Sequence, residues 1–309
     1  MTVSALLVVY LATVVIVVPR RLRRAAWVLR APRVAMALWT GLLTSTIAGV
    51  AVAGCIIPQA LLGDAYRGDL WDHFGIVLRR PPADTSALAW SVVGVLFTAG
   101  TAAGLGCLMV RDLLRAWLQQ RRYIQALDVV GRRQGWSWPP IYLIDYPTPA
   151  SFCMAARGGR IVITTEATRI LPEEELAAVL EHERAHLRGR HQLLSACTAS
   201  LARTLPWVPL FATAGPCVAR LVEMAADDAA GKGGRREVVA RGLARLVATS
   251  PSGVEALSAS GCDVAARINR LVDPDWKRQP RAMAAGVGCF TATVAIPALA
   301  VAAGMSVLC

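Results

Sequence analysis

Two histidines and a glutamate are the residues of this chain best suited to chemistry. His182 and His186 are four residues apart, and Glu183 directly follows the first of them. Pro172 and the three glutamates after it are typical of the first turn of a helix. On a helix both imidazoles would share one face, where they can bind a single Zn²⁺ while Glu183 takes a proton from water. The spacing therefore predicts a zinc hydrolase centre.

A catalytic zinc needs a third protein ligand and an open position. Glu223 is the predicted third ligand, and Asp227 lies one turn later on the same helix face. Asp227 can accept the remaining N–H of a ligating histidine. An E-x-x-x-D pair alone is typical of any solvated helix, so the assignment depends on the histidine pair before it.

His182-Glu183-x-x-His186 followed by Glu223-x-x-x-Asp227, set between apolar segments, resembles the BlaR/MecR-type antirepressor membrane zinc metallopeptidases. The likeness includes the approach segment from Ser151 to Thr165. The resemblance implies a gluzincin fold, one Zn²⁺ per chain, and cleavage of a cytoplasmic winged-helix repressor in signal-dependent gene regulation. A separate sensor protein and a homodimer are further candidate partners.

The sequence departs from that family at two places. Its beta-lactam receptors continue after the last helix into an external penicillin-binding sensor, whereas this sequence ends at Cys309. We therefore expect no direct covalent sensing of an antibiotic. Members often carry an acid at the position of His191, which we interpret as a surface histidine.

The same two patterns are similar to those of HtpX-like and CAAX-processing membrane proteases. In both families an arginine in a late R-I-x-x-L segment looks similar to Arg267. The resemblance implies structural or oxyanion support near the metal for this residue. An arginine on an amphipathic helix is the simpler interpretation.

Composition indicates a membrane protein. The 309 residues are 55% hydrophobic and 17% charged, with a mean hydropathy of +0.47. There are 33 Lys+Arg against 21 Asp+Glu, a formal charge of +12. Six arginines between Arg20 and Arg33 lie between two apolar runs without an intervening acid, as in a cytoplasmic loop. This pattern argues against direct nucleic-acid binding.

Apolar length predicts an α-helical integral membrane protein with four transmembrane helices. The family resemblance implies that they carry a mainly helical α+β cytoplasmic gluzincin zinc-protease domain with a small β-sheet. Arginines flanking the spans put both termini outside the cell membrane. The predicted organisation is three spans at 2–18, 34–57 and 87–110, a cytoplasmic loop 19–33, an external loop 58–86, a metallopeptidase domain 111–282, and a fourth span 283–309.

Within the zinc domain, two short runs predict strands, Ile141–Ile144 and Arg160–Thr165. We expect the second strand to line the active-site cleft and to accept an extended substrate as an added strand. Residues 193–218 are apolar but interrupted by prolines, so they predict core helices and not a fifth span. The eight cysteines show no disulfide or zinc spacing.

Three functions fit these features. The first is a cytoplasm-facing zinc metalloendopeptidase that cleaves a repressor, and the second is an HtpX-like protease for membrane-protein quality control. A non-catalytic, zinc-bound membrane sensor or scaffold is the third. Proteolysis at bilayer depth is disfavoured, because Glu181, Arg184 and Arg188 flank the motif and charges are costly there.

Overall fold

The computed structural model describes residues 8–61, 85–135, 138–249, 261–274, 284 and 288. Residues 8–12 are helical and continue into a π-helical turn at Thr13–Val17. Four helices follow along the chain: α1 (Val18–Arg24), α2 (Ala26–Arg30), α3 (Pro32–Leu61) and α4 (Thr85–Val130).

Parts of α3 and α4 have the length and composition of membrane spans. Pro32–Val50 has a mean hydropathy of 1.2 and is 50% buried, whereas Val92–Val130 has a mean hydropathy of 1.9 and is 6% buried. The two segments overlap the predicted spans 34–57 and 87–110. Apart from residues 284 and 288, the predicted fourth span 283–309 lies outside the described residues, as does most of the external loop 58–86.

A four-stranded sheet follows α4, in the order β1-β2-β4-β3. β2 and β4 are parallel, and the two outer pairings are antiparallel. Both predicted strands are present as β2 and β4. The strands are β1 (Arg132–Gln134), β2 (Ile141–Ile144), β3 (Ser151–Met154) and β4 (Arg160–Thr164).

The strand order corrects one prediction. β4 pairs with a neighbour on each side, so its backbone groups cannot accept a further strand. The expectation that Arg160–Thr165 receives an extended substrate is therefore wrong. β3 is the outer strand beside β4, and it packs against the helix that carries the two histidines.

Six helices complete the described fold. One of them ends before the glycine-rich turn at 231–234, and residues 193–218 contribute to two core helices. The helices are α5 (Thr165–Ile170), α6 (Glu173–Arg188), α7 (His191–Thr204), α8 (Pro209–Ala230), α9 (Arg236–Ala248) and α10 (Gly261–Val272).

Helix α8 is held by an apolar cluster that it shares with α3. Trp39 and Leu42 of α3 are fully buried in one cluster with Val218 and Leu221 of α8. This packing fixes the rotation of α8, because its apolar face is taken by α3, and α6 packs against α8 as well.

Candidate metal centre

Helix α6 presents two histidines to the same point. It begins at Glu173 with three glutamates in its first turn, where carboxylates meet the positive end of the helix dipole. Nε2 of His182 lies 3.0 Å from Nε2 of His186. Ligand atoms about 2.0 Å from a tetrahedral zinc are roughly 3.3 Å from one another. The two imidazoles are therefore spaced to share an ion.

Glu223 of α8 completes a set of three ligands. Its Oε2 lies 3.6 Å from Nε2 of His182, and its Oε1 lies 3.5 Å from Nε2 of His186. All three ligand atoms lie within 4.8 Å of one another. Two imidazoles and one carboxylate are the donors of a catalytic zinc site with an open position. The arrangement fits zinc, and the structure brings together the three predicted ligands.

Small side chains bring α6 and α8 close enough for this geometry. Ala185 of α6 is buried in one cluster with Ala226 and Ala229 of α8. Alanine at these positions lets the two helix backbones approach closely. Larger residues there would separate Glu223 from the histidines.

Asp227 holds the other nitrogen of His182. Its Oδ1 lies 3.0 Å from Nδ1 of His182, and the aspartate is 1% exposed. This contact keeps the Nδ1 proton on the side away from the ligand cluster, so Nε2 is free to bind a metal. Asp227 therefore contacts the nitrogen of His182 that does not face the other candidate ligands.

Arg267 of α10 joins both carboxylates of α8. Its Nε and Nη2 each lie 2.8 Å from an oxygen of Asp227, and its Nη1 lies 3.0 Å from Oε2 of Glu223. A bidentate guanidinium–carboxylate pair fixes both partners in orientation. Of the two roles considered for Arg267, this geometry favours structural support, because the guanidinium is directed at the carboxylates.

The pKa values of the two histidines move in opposite directions. Burial disfavours the cation at His182, but hydrogen bonds to Asp227 and Glu223 raise its pKa to about 9. Burial and the charge of His182 lower the pKa of His186 to about 4. Burial also opposes ionisation of Asp227, yet hydrogen bonds from Arg267 and His182 hold its pKa below the usual range.

Glu183 is buried next to the candidate ligands, on the face of α6 that packs against the sheet. It is 8% exposed and interacts with the thiol of Cys153 on β3. Burial raises the pKa of Glu183, while the neighbouring charge of His182 opposes this shift. A carboxylate with a raised pKa is suited to exchange a proton near neutral pH. Burial and the charge of Glu183 also raise the pKa of Cys153, so the thiol stays neutral.

His191 is not a surface histidine, and this corrects the sequence interpretation. The side chain is buried, and its Nδ1 lies 3.2 Å from Nδ1 of His186. The two rings meet edge to face with their centroids 5.0 Å apart. With Nε2 of His186 directed at the ligand cluster, its Nδ1–H can donate to His191. His191 therefore orients the second ligand as Asp227 orients the first.

The turn after α6 returns the chain to the site. Arg190 adopts a left-handed conformation with φ 49°, and α7 begins at His191. A Cβ on Gly189 would lie 2.2 Å from Nε2 of His191. Only glycine leaves room there for the imidazole. This Gly189-Arg190-His191 turn is the local signal that could have identified the buried histidine.

Gln192 binds the outer edge of β3. Its Nε2 donates to the carbonyl of Cys153 at 2.5 Å, and its Oε1 accepts from the backbone N–H of Ala155 at 2.9 Å. Gln120 of α4 donates to the same oxygen at 3.0 Å. One carboxamide thus connects α4, α7 and the strand beside Glu183. No sequence pattern marks this residue, because its partners are distant in the chain.

Comparison with known proteins identifies part of this region. Residues 116–214 match the model described as Peptidase family M48. They include the sheet, α6 and His191, whereas Glu223, Asp227 and Arg267 lie beyond them. No solved structure matches the chain.

Three curated relatives are each described as "Protease HtpX homolog". The protein of Thermodesulfovibrio yellowstonii is 35% identical over 72 residues, covering 23% of this chain and 26% of the relative. That of Aquifex aeolicus is 32% identical over 80 residues, covering 25% of this chain and 26% of the relative. That of Acidiphilium cryptum is 34% identical over 83 residues, covering 26% of this chain and 29% of the relative. The chain spans about a quarter of the length of these relatives.

The matched segment and the site geometry agree on one class of chemistry. The segment contains both predicted histidine ligands and Glu183, and the fold adds a carboxylate ligand from α8. The similarity is to proteases, and the ligand set fits zinc. Residues 116–214 thus match the model of Peptidase family M48, and this similarity supports a zinc metalloprotease.

Proposed function

We propose that the chain is a membrane-bound zinc metalloendopeptidase. The proposal rests on one observation: two imidazoles and the carboxylate of Glu223 surround one point, and the buried carboxylate of Glu183 is adjacent to them in the chain. The match to Peptidase family M48 supports it. His182, His186 and Glu223 are the proposed ligands.

The residues around that point suit hydrolysis of a peptide bond. A bound zinc ion would supply Lewis acidity to the scissile carbonyl and to the attacking water. Glu183 takes the proton of that water and returns it to the leaving amine. Asp227 and His191 hold the two imidazoles, and Arg267 holds Glu223 and Asp227.

The proposed topology follows from charge and hydropathy. Arginines lie within α1 and α2 and in α4 after residue 110, as expected of cytoplasmic ends of spans. We therefore propose that the metallopeptidase domain, 111–282, faces the cytoplasm beneath the membrane. The two span-like segments of α3 and α4 support membrane attachment.

Two substrate classes follow from two resemblances. Cleavage of a winged-helix repressor rests on the resemblance to BlaR/MecR-type metallopeptidases. Cleavage of damaged membrane proteins rests on the HtpX-like resemblance. The relatives that match by sequence are described as HtpX homologs, and this favours the quality-control role.

Proteolysis by the purified full chain is the direct test. The Glu183→Gln variant should keep bound zinc but lose cleavage of an unfolded protein substrate, because the amide cannot take the proton. Glu174→Gln is the matched control, since Glu174 is an exposed carboxylate on the same helix. Equal cleavage by wild type and Glu183→Gln would disprove the catalytic assignment. Absence of cleavage by zinc-loaded wild type would favour the non-catalytic sensor.

Substrate class is tested in cells. Proteomes of cells with wild type and with Glu183→Gln are compared for truncated proteins. A truncated transcriptional regulator supports the repressor role. Accumulation of intact, misfolded membrane proteins in the variant supports the quality-control role.

A further inference from the structure

A cavity lies between α6, α8 and the N-terminal end of α3. Its volume is about 650 Å³, and its lining includes Arg33 of α3, Arg188 at the end of α6, and Lys232 after α8. None of the proposed zinc ligands lines it, and neither does Glu183. The cavity is therefore separate from the metal centre, although His191 lies between the two.

Cationic side chains dominate the lining of this cavity, which we call the basic pocket. Arg33 and Lys232 are exposed and make no ion pair within the part of the chain that the structure describes. The one carboxylate in the lining belongs to Glu181, which already bridges Arg184 and Arg188. Arg33 and Lys232 thus line the cavity without an ion-pair partner among the described residues.

The rest of the lining is small and apolar. Ala185 of α6, Ala225 and Ala229 of α8, and Met36 of α3 form it. Cations at the rim with an apolar floor suit an anion that carries a nonpolar group. They suit a divalent cation or a purely apolar ligand poorly.

The pocket also lies where a membrane surface is expected. Arg33 is the second residue of α3, whose first 19 residues have the composition of a membrane span. Phosphate groups of lipids lie at the ends of such spans, and basic pockets there bind anionic head groups. The position and the charge point to the same chemistry.

We propose that the basic pocket binds a phosphate-bearing anion, either the head group of an anionic phospholipid or a free phosphate ion. Arg33, Arg188 and Lys232 contact the phosphate oxygens. The acyl chains of a lipid would leave along α3 into the bilayer. This site does not depend on peptidase activity, and its test does not use it.

Native mass spectrometry of the detergent-solubilised full chain tests the site. The protein is titrated separately with phosphatidylglycerol, phosphatidylcholine and inorganic phosphate. We expect phosphatidylglycerol to bind most tightly, and the variant Arg33→Gln/Arg188→Gln/Lys232→Gln to bind it roughly tenfold or more weakly. Tight binding of inorganic phosphate, with equal weakening in the variant, would identify the free ion as the ligand.

The matched control removes three exposed arginines away from the proposed spans, in Arg132→Gln/Arg169→Gln/Arg241→Gln. It has the same net charge as the pocket variant and should bind phosphatidylglycerol as wild type does. Equal weakening in both variants, or none in either, would overturn the proposal. The single change Lys232→Glu, on an exposed side chain, repeats the test if the triple variant does not fold.

Discussion

Nδ1 of His186 lies 3.2 Å from Nδ1 of His191, while Nε2 of the same ring lies 3.0 Å from Nε2 of His182. The imidazole of His186 is therefore oriented by His191, which is itself buried. The corresponding partner of His182 is Asp227, at 3.0 Å. Each proposed histidine ligand thus has its own support, one neutral and one anionic, and each support comes from a different helix.

Removing the acceptor at position 191 should weaken zinc binding. His191→Phe keeps an aromatic ring but cannot accept the Nδ1 proton of His186, so zinc affinity should fall about 10- to 100-fold. His191→Asp restores an acceptor and should recover most of that loss. Competition with a chelating dye measures both affinities. Equal zinc affinity of wild type and His191→Phe would show that His191 has no orienting role.

The pair of Asp227 and Arg267 should dominate the stability of the site. Both side chains are buried, so Asp227→Ala leaves the guanidinium with Glu223 alone and should cost about 3–5 kcal/mol of unfolding free energy. The double variant Asp227→Ala/Arg267→Met removes both charges and should lose less than Asp227→Ala alone. Denaturant unfolding of the metal-free protein measures the difference. Additive losses would contradict a coupled pair.

Zinc binding should weaken as the pH falls. In the metal-free protein the pKa of His182 is raised to about 9 and that of His186 is lowered to about 4. Only His182 must therefore lose a proton between about pH 5.5 and 8, and zinc affinity should fall about tenfold per pH unit on acidification. Zinc titrations in non-chelating buffers measure the slope.

A matched variant tests the cause of that slope. Asp227→Asn removes the anionic partner that raises the pKa of His182, so zinc affinity should depend less on pH in this range. A slope near zero in wild type, or the same slope in both proteins, would contradict the assignment.

Gln192 should hold β3 in place. Gln192→Leu removes the bonds to Cys153 and Ala155, so unfolding free energy should fall by about 1–3 kcal/mol, and the amide of Ala155 should exchange faster with solvent. Gln120→Leu removes only the bond from α4 and should leave Ala155 protected. Hydrogen exchange with mass spectrometry compares the two. Unchanged exchange in Gln192→Leu would disprove the role.

Local sequence patterns were sufficient to predict those parts of the site that depend only on residues close together in the chain. The four-residue spacing of His182 and His186 gives a shared face on any helix, and the prolines and glycines mark where helices begin and end. Apolar length likewise identified the segments that became α3 and α4, and short β-branched runs identified β2 and β4. The predictions for loop 58–86 and the last span fall mainly on residues that the structure does not describe.

Tertiary packing decided the rest. Glu223 meets the histidines because alanines let α6 and α8 approach, and Arg267 reaches Asp227 from a helix 40 residues further along the chain. The burial of His191 and the edge position of β3 depend equally on contacts between distant segments. A single sequence records the spacing of residues within a helix, but it does not record which helices pack together. The packing of the helices determines the surroundings of each side chain.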